Sequence, residues 1–204
     1  MTNKMTLAGQ MTRKSSTKTL TKVSILSVLA YLIMLVEIPL FFFPSFLTID
    51  LSDIPALIGG FTLGPGAAVA IQLVKNILHV ITKNTTGGVG ELANFLVGSV
   101  FVVPASIIYL KNKTKNGAVL GMFVGIVSMV LMGVVSNYYI TLPFYTKFMP
   151  MDQIIAMSAA ANGAIVDMKT LILYAFVPFN ILKGTVVSII TGLFYKKLAP
   201  ILKQ

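Results

Sequence analysis

The stretch Phe41-Phe-Phe-Pro-Ser-Phe-Leu-Thr-Ile-Asp50-Leu-Ser-Asp53-Ile-Pro-Ala-Leu-Ile-Gly-Gly-Phe-Thr-Leu63, stopped by Gly64-Pro65-Gly66, decides how the chain meets a membrane. Asp53 and Pro55 make an ordinary helix start, the acid capping and the proline in the first turn, so Asp53 reads as structural. From there to Gly64 only about ten residues are helical, roughly 15 Å at 1.5 Å per residue, against a hydrocarbon thickness of about 30 Å. This helix cannot span straight across. The loop before it, residues 41–50, is apolar rather than solvated, and irregular backbone at membrane depth is tolerated only where protein buries it or a cavity wets it. The expectation is a partly re-entrant loop lining a cavity open to the outside; the alternative is an interfacial aromatic belt.

The rest of the chain agrees with a membrane setting. Of its 204 residues 56% are hydrophobic and 11% charged, and its mean hydropathy is +0.88. A soluble domain carries about 25% charged residues, so too little polar surface exists to cover a water-facing globule. Apolar segments fall at residues 23–40, 54–63, 66–81, 92–110, 117–142 and 171–195. No small-residue cleavage site follows the first, which favours a retained helix over a signal peptide. The fold class expected is therefore an all-α integral membrane protein of six transmembrane helices, the second short. Its single membrane domain covers residues 23–197, between a basic tail at 1–22, frayed at its start, and a tail at 198–204. Residues 149–165 suggest an extra surface helix before the sixth segment.

A net charge of +10 ordinarily suggests nucleic acid, but here its placement argues otherwise. Lys4, Arg13, Lys14, Lys18 and Lys22, with Lys111, Lys113 and Lys115 and with Lys196, Lys197 and Lys203, fall on one face of a six-helix topology. The opposite face holds Lys83, Lys147 and Lys169 together with Asp50, Asp53, Glu91, Asp152 and Asp167, and Glu37 lies in that half of the first helix. The positive-inside rule puts both termini in the cytoplasm, with lipid rather than nucleic acid as the surrounding partner.

Enzyme signatures are missing. Cysteine is absent, one histidine is present, and no GxSxG, HExxH or GxxxxGK[ST] occurs, so neither catalysis, a metal site nor ATP hydrolysis is expected. His79 reads as a packed, hydrogen-bonded histidine. Lys75, one turn earlier, snorkels, pairs with Glu91, or touches a ligand. Glu91 before the fourth segment is either a helix-dipole partner or an acceptor for ligand hydroxyls. Sharper candidates lie on the last two segments: Asn137 toward the outer end of the fifth, and Asn180 and Lys183 three residues apart on one face of the sixth. They mark either a ligand site or interhelical hydrogen bonding. An amide offers donor and acceptor side by side, which suits a heterocycle with an imide or amidine edge. Phe46, Met132, Tyr138, Tyr139, Phe176 and Phe179 are available to sandwich a flat ring or simply to pack.

Taken in order, residues 49–61, Gly64-Pro-Gly66, Lys75-Asn-Ile-Leu-His79, Gly90-Glu-Leu-Ala-Asn-Phe95, Asn137-Tyr138 and Phe179-Asn-Ile-Leu-Lys-Gly184 resemble the riboflavin-binding S components of energy-coupling factor (ECF) transporters. The resemblance implies a six-helix bundle in the bacterial cell membrane. It would bind riboflavin from outside, as cargo rather than cofactor, and deliver it to a coupling membrane subunit with two ABC-type ATPases. By the same resemblance Asn137, Asn180 and Lys183 hold the polar edge of the ring, and the first loop, with Phe46, Leu47, Thr48 and Asp50, closes over it. Glu91, Lys75 and Tyr138 complete the candidate ligand set. The family's AxxxA docking motif on the first helix falls on Ser24 and Val28, a departure in which valine is too bulky for the closest helix approach. The competing readings are an S component for another flat heterocyclic vitamin, such as thiamine or a pterin, and a structural or channel-forming membrane protein.

Overall fold

Gly64 adopts φ 106° and ψ 168°, a region closed to residues with a Cβ, and there the chain reverses. Its reversal separates α2 (Asp53–Leu63) from α3 (Pro65–Thr82), which Pro65 opens at a position where its missing N–H costs nothing. The computed structural model describes residues 3–203, with side chains over 17–195; the side chains of Lys4, Arg13, Lys14, Lys196, Lys197 and Lys203 lie outside the described residues. Before the reversal come α1 (Asn3–Met34) and a two-stranded antiparallel ribbon, β1 (Ile38–Pro39) and β2 (Thr48–Ile49), with Ile38 opposite Ile49. After it come α4 (Val89–Lys111) and α5 (Lys115–Ser136). The fifth segment continues through a π-helical turn, Asn137–Thr141, into α6 (Leu142–Tyr145). A separate α7 (Met151–Ala159) is the extra helix expected within residues 149–165. The sixth segment is α8 (Met168–Leu171), a second π-helical turn (Ile172–Phe176) and α9 (Val177–Lys203).

Among the described residues five helical segments are long and apolar enough to cross a membrane, and the 11-residue α2 is not. Two boundaries differ from the sequence reading. The first helix stops at Met34 rather than near residue 40, because Pro39 and Pro44 cannot supply the backbone donors a continuing helix needs and the ribbon takes over. At its other end the helix begins at Asn3, so the backbone of the basic stretch is continuous with the apolar part.

Loop depth follows from these lengths. Asp53 Oδ1 lies 2.7 Å from Lys75 Nζ, so α2 starts level with Lys75, seven residues short of the end of α3. Those seven residues amount to about 10 Å at 1.5 Å each. The loop from β1 to Asp53 therefore descends about that far into the bundle, and the expected partial re-entry is present.

The bundle closes around Leu57, Phe61, Ile71, Phe101, Met129 and Val187. Helices α4 and α5 meet backbone to backbone through glycines. A Cβ on Gly121 would lie 2.7 Å from the Ala105 carbonyl oxygen, and one on Gly125 2.7 Å from that of Phe101. Without a water-driven hydrophobic effect between apolar helices in lipid, such close approach supplies the packing energy. Leu120, Phe123, Val127 and Leu131, on the opposite side of α5, are exposed and apolar, as a lipid-facing surface requires.

Candidate functional site

The first loop ends on a charge-balanced floor. Lys183 Nζ from α9 sits 2.7 Å from Asp50 Oδ2 and 3.6 Å from Asp53 Oδ2. Lys75 Nζ, wholly buried, donates to Asp53 Oδ1 at 2.7 Å and to Ser52 Oγ at 2.6 Å, and Gln72 Nε2 reaches the same Asp53 oxygen at 2.8 Å. Asp50 Oδ1 accepts from the Ser52 N–H at 3.0 Å and from the Ser52 hydroxyl. Two ammonium groups thus meet two carboxylates, paired and hydrogen-bonded as buried charge must be.

Above this floor lie the two asparagines. Asn137 Nδ2 donates to Gly133 O at 2.7 Å and Asn180 Nδ2 to Phe176 O at 2.8 Å. Each amide is thereby pinned to its own helix, leaving its oxygen and second N–H for a ligand. Asn180 lies flat on Gly133, where a Cβ would come within 2.6 Å of its Nδ2. Both asparagines sit beside π-helical turns, features that recur at functional sites.

At the far end of the cavity His79 Nδ1 donates to Glu91 Oε1 at 2.8 Å, and Thr86 Oγ1 to Glu91 Oε2 at 2.7 Å. Glu37 bridges His79 Nε2, 3.7 Å away, and Lys83 Nζ, 3.0 Å away. Gly88, at φ 84°, makes the left-handed turn that brings Glu91 round to face α3.

Between floor and mouth is a cavity of about 610 Å³. Its walls include eight of the ten sequence-predicted ligand residues: Phe46, Leu47, Thr48, Asp50, Glu91, Asn137, Asn180 and Lys183. Phe46 faces Phe176 with ring centroids 6.3 Å apart, and Phe179, braced edge-on by Phe43, adds a further ring. Lys75 and Tyr138 are not in the lining. Lys75 lies behind Asp53, and it does not pair with Glu91, because the start of α2 comes level with Lys75 while the start of α4 comes level with His79 one turn on. Tyr138 is 42% exposed and packs on Tyr139 at the outer surface, since its neighbour Asn137 takes the inward position. Met132 and Tyr139 are likewise outside the lining.

Sequence reasoning missed Asp53 as more than a helix start. Ser52 is the N-cap residue, and Asp53 holds both lysines. His79 is packed and hydrogen-bonded, as the sequence suggests, and it also lines the cavity together with Asn94 and Thr141, which the sequence reading did not single out. The available signals were spacing: Lys75 and His79 four apart, Glu91 and Asn94 three apart. On α1, Ser24 is exposed and Val28 is 50% exposed, whereas the small residues Ser27 and Ala30 on its other side are wholly buried in the bundle.

A family model described as "ECF transporter, substrate-specific component" matches residues 18–195. The chain belongs to the ECF transporter S components. A solved S component of a bacterial ECF transporter has a TM-score of 0.75 and 32% identity with it, covering 93% of this chain and 99% of that one. Among curated proteins, the riboflavin transporter FmnP of Bacillus subtilis is 33% identical over 189 residues, 92% of this chain and 95% of the relative. The riboflavin transporter RibU of Staphylococcus aureus is 34% identical over 187 residues, 92% and 93% of the two chains. This S component is accordingly the substrate-binding membrane subunit of such a transporter.

Proposed function

We propose that this S component captures riboflavin in the 610 Å³ cavity and hands it to an ECF module for uptake. The supporting observation is the pair of pinned amides above a neutral floor. The imide edge of an isoalloxazine ring sets an N–H between two carbonyls, and two amides each offering an oxygen and an N–H are its complement. Phe46, Phe176 and Phe179 supply apolar surface for the ring, and a cavity of this size is typical of a small-molecule site. Lys183, held by Asp50 and Asp53, keeps a third N–H for a ring carbonyl. Asp50 and Thr48 belong to the loop that carries Phe46 and Leu47 over the ligand.

The termini are cytoplasmic and the cavity opens outward in the bacterial cell membrane, as the basic and acidic faces argue. Residues 23–197 form the membrane domain, with tails at 1–22 and 198–204. Energy comes from a coupling membrane subunit and two ABC-type ATPases, since no phosphate-binding loop occurs in this sequence. The exposed Ser24 and Val28 face of α1 is the docking surface. Titration of the purified chain in detergent with riboflavin, read by quenching of flavin fluorescence, tests the reading. Saturable quenching that weakens about three- to tenfold in Asn137→Ala and in Asn180→Ala is expected. A folded chain that neither purifies yellow nor quenches added riboflavin overturns it.

A further inference from the structure

The first loop has two faces, and only one of them belongs to the cavity. Ser45, Phe46 and Leu47 line the cavity, whereas Phe41, Phe42 and Phe43 do not. Those three rings instead form a row that leads away from it. Phe43, buried, stands edge-on against Phe179 of α9 with ring centroids 5.5 Å apart; Phe42 follows at 4.9 Å and Phe41 at a further 5.0 Å. Exposure rises along the row, to 46% at Phe42 and 93% at Phe41. Val36 and Ile38, on the approach to this tip, are exposed as well. An apolar surface of this kind marks a contact with something other than water.

What the tip faces follows from its depth. Phe179 stands four residues before Lys183 on α9, about 6 Å above the floor, and the floor lies about 10 Å below the end of α3. Phe43 is thus about 4 Å inside the level of Lys83 and Glu37, whose ion pair marks the polar boundary on this side. Helices α1 and α9 each pack on α2, and the loop, continuous with α1 and resting on α9, fills the wall between them. Rings turned outward from that wall, at that depth, meet acyl chains. The backbone suits such a place. Pro39 and Pro44 have no N–H, and bonds from Phe43 N–H to Leu40 O at 3.0 Å and from Leu47 N–H to Pro44 O at 2.8 Å satisfy two more donors within the loop.

We propose that Phe41 and Phe42 form a lipid anchor, docked among the acyl chains of the leaflet on the side where the cavity opens, and that this anchor holds the first loop against the bundle. The loop is then kept in place by the bilayer as well as by Phe43 and Asp50. The sequence contains neither tryptophan nor cysteine, so one introduced indole or thiol reports alone. Phe41→Trp is placed in liposomes whose lipids carry bromine along the acyl chains. Phe123→Trp, on the lipid face of α5, and the exposed Val166→Trp, at the capped start of α8, serve as references. Bromine quenching at position 41 closer to that at 123 than to that at 166 is expected; quenching closer to that at 166 overturns the lipid contact. Holding is read separately. Ile49 is 7% exposed in the returning strand, so Ile49→Cys reacts with a water-soluble maleimide when the loop lifts. Adding Phe41→Ser, a change at a ring that is 93% exposed, should speed that reaction in liposomes at least about threefold while leaving the thermal midpoint where it was. An unchanged rate overturns the anchor.

Discussion

The Asp50–Lys183 pair allows a prediction whose size follows from the geometry. Asp50→Asn removes the carboxylate 2.7 Å from the ammonium and leaves Lys183 with Asp53 at 3.6 Å. With an effective dielectric of about 20, Coulomb's law gives about 6 kcal/mol for the first pair and about 4.6 kcal/mol for the second. Lys183 is thus weakened rather than stripped of partners, which puts the loss near the low end of the range for breaking a buried pair, about 3 kcal/mol. For a chain of this size each kcal/mol moves the thermal midpoint by about 2–4 °C, so a fall of about 6–12 °C is expected in detergent. Asp50→Asn/Lys183→Met removes both charges and restores neutrality, with the remaining Asp53–Lys75 pair intact. The double variant should recover at least half of the lost midpoint, because an absent pair is cheaper than a broken one. Unfolding followed by circular dichroism on the parent, Asp50→Asn, Lys183→Met and the double variant closes the cycle. If the single variant melts with the parent, or the double variant melts as low as the single, the floor is not an electrostatically coupled unit and the reasoning fails.

Gly121→Leu drives a side chain into the Ala105 carbonyl across α4 and α5 and should cost at least about 2 kcal/mol, read as a lowered thermal midpoint; Gly192→Leu, with open space at its Cα, serves as the control and should melt with the parent. Single cysteines at the exposed Lys113 and Lys147 should differ in intact cells, an impermeant thiol reagent labelling only position 147; labelling of position 113 from outside would reverse the topology. Val28→Trp adds bulk to an exposed face of α1 far from the cavity, so purified protein should bind ligand as the parent does while energised uptake falls; undiminished uptake would move the docking surface elsewhere.

Much of this fold was legible because membrane physics simplifies the code. Hydropathy marked every long apolar span but the first within a few residues, and the eleven-residue α2 betrayed the descending loop by being too short. The site was legible where a polar side chain had no cheap alternative: Asn137, Asn180 and Lys183 stood out because amides and ammonium groups in apolar segments need partners. What stayed hidden was pairing. Lys75 is closer in sequence to Glu91 than to Asp53, yet the choice between them depends on the level at which α2 begins, a tertiary fact. For His79 a hydrogen bond is legible but its partners are not, because Glu37 and Glu91 come from two other segments. The π-helical turns left no visible signal either, since an inserted residue leaves hydropathy unchanged.

Those turns carry a consequence for how such a cavity diversifies. A π-helical turn is an α-helix with one residue too many, and that residue rotates everything beyond it by about 100°. Deleting one residue within 138–141 would let the fifth segment relax to a plain helix and swing Leu142 and Tyr145 off the wall they now share with Asn137. Chain length alone, with no side chain exchanged, would then redraw the binding surface. Selectivity among S components is accordingly open to change by single-residue gaps as well as by substitution.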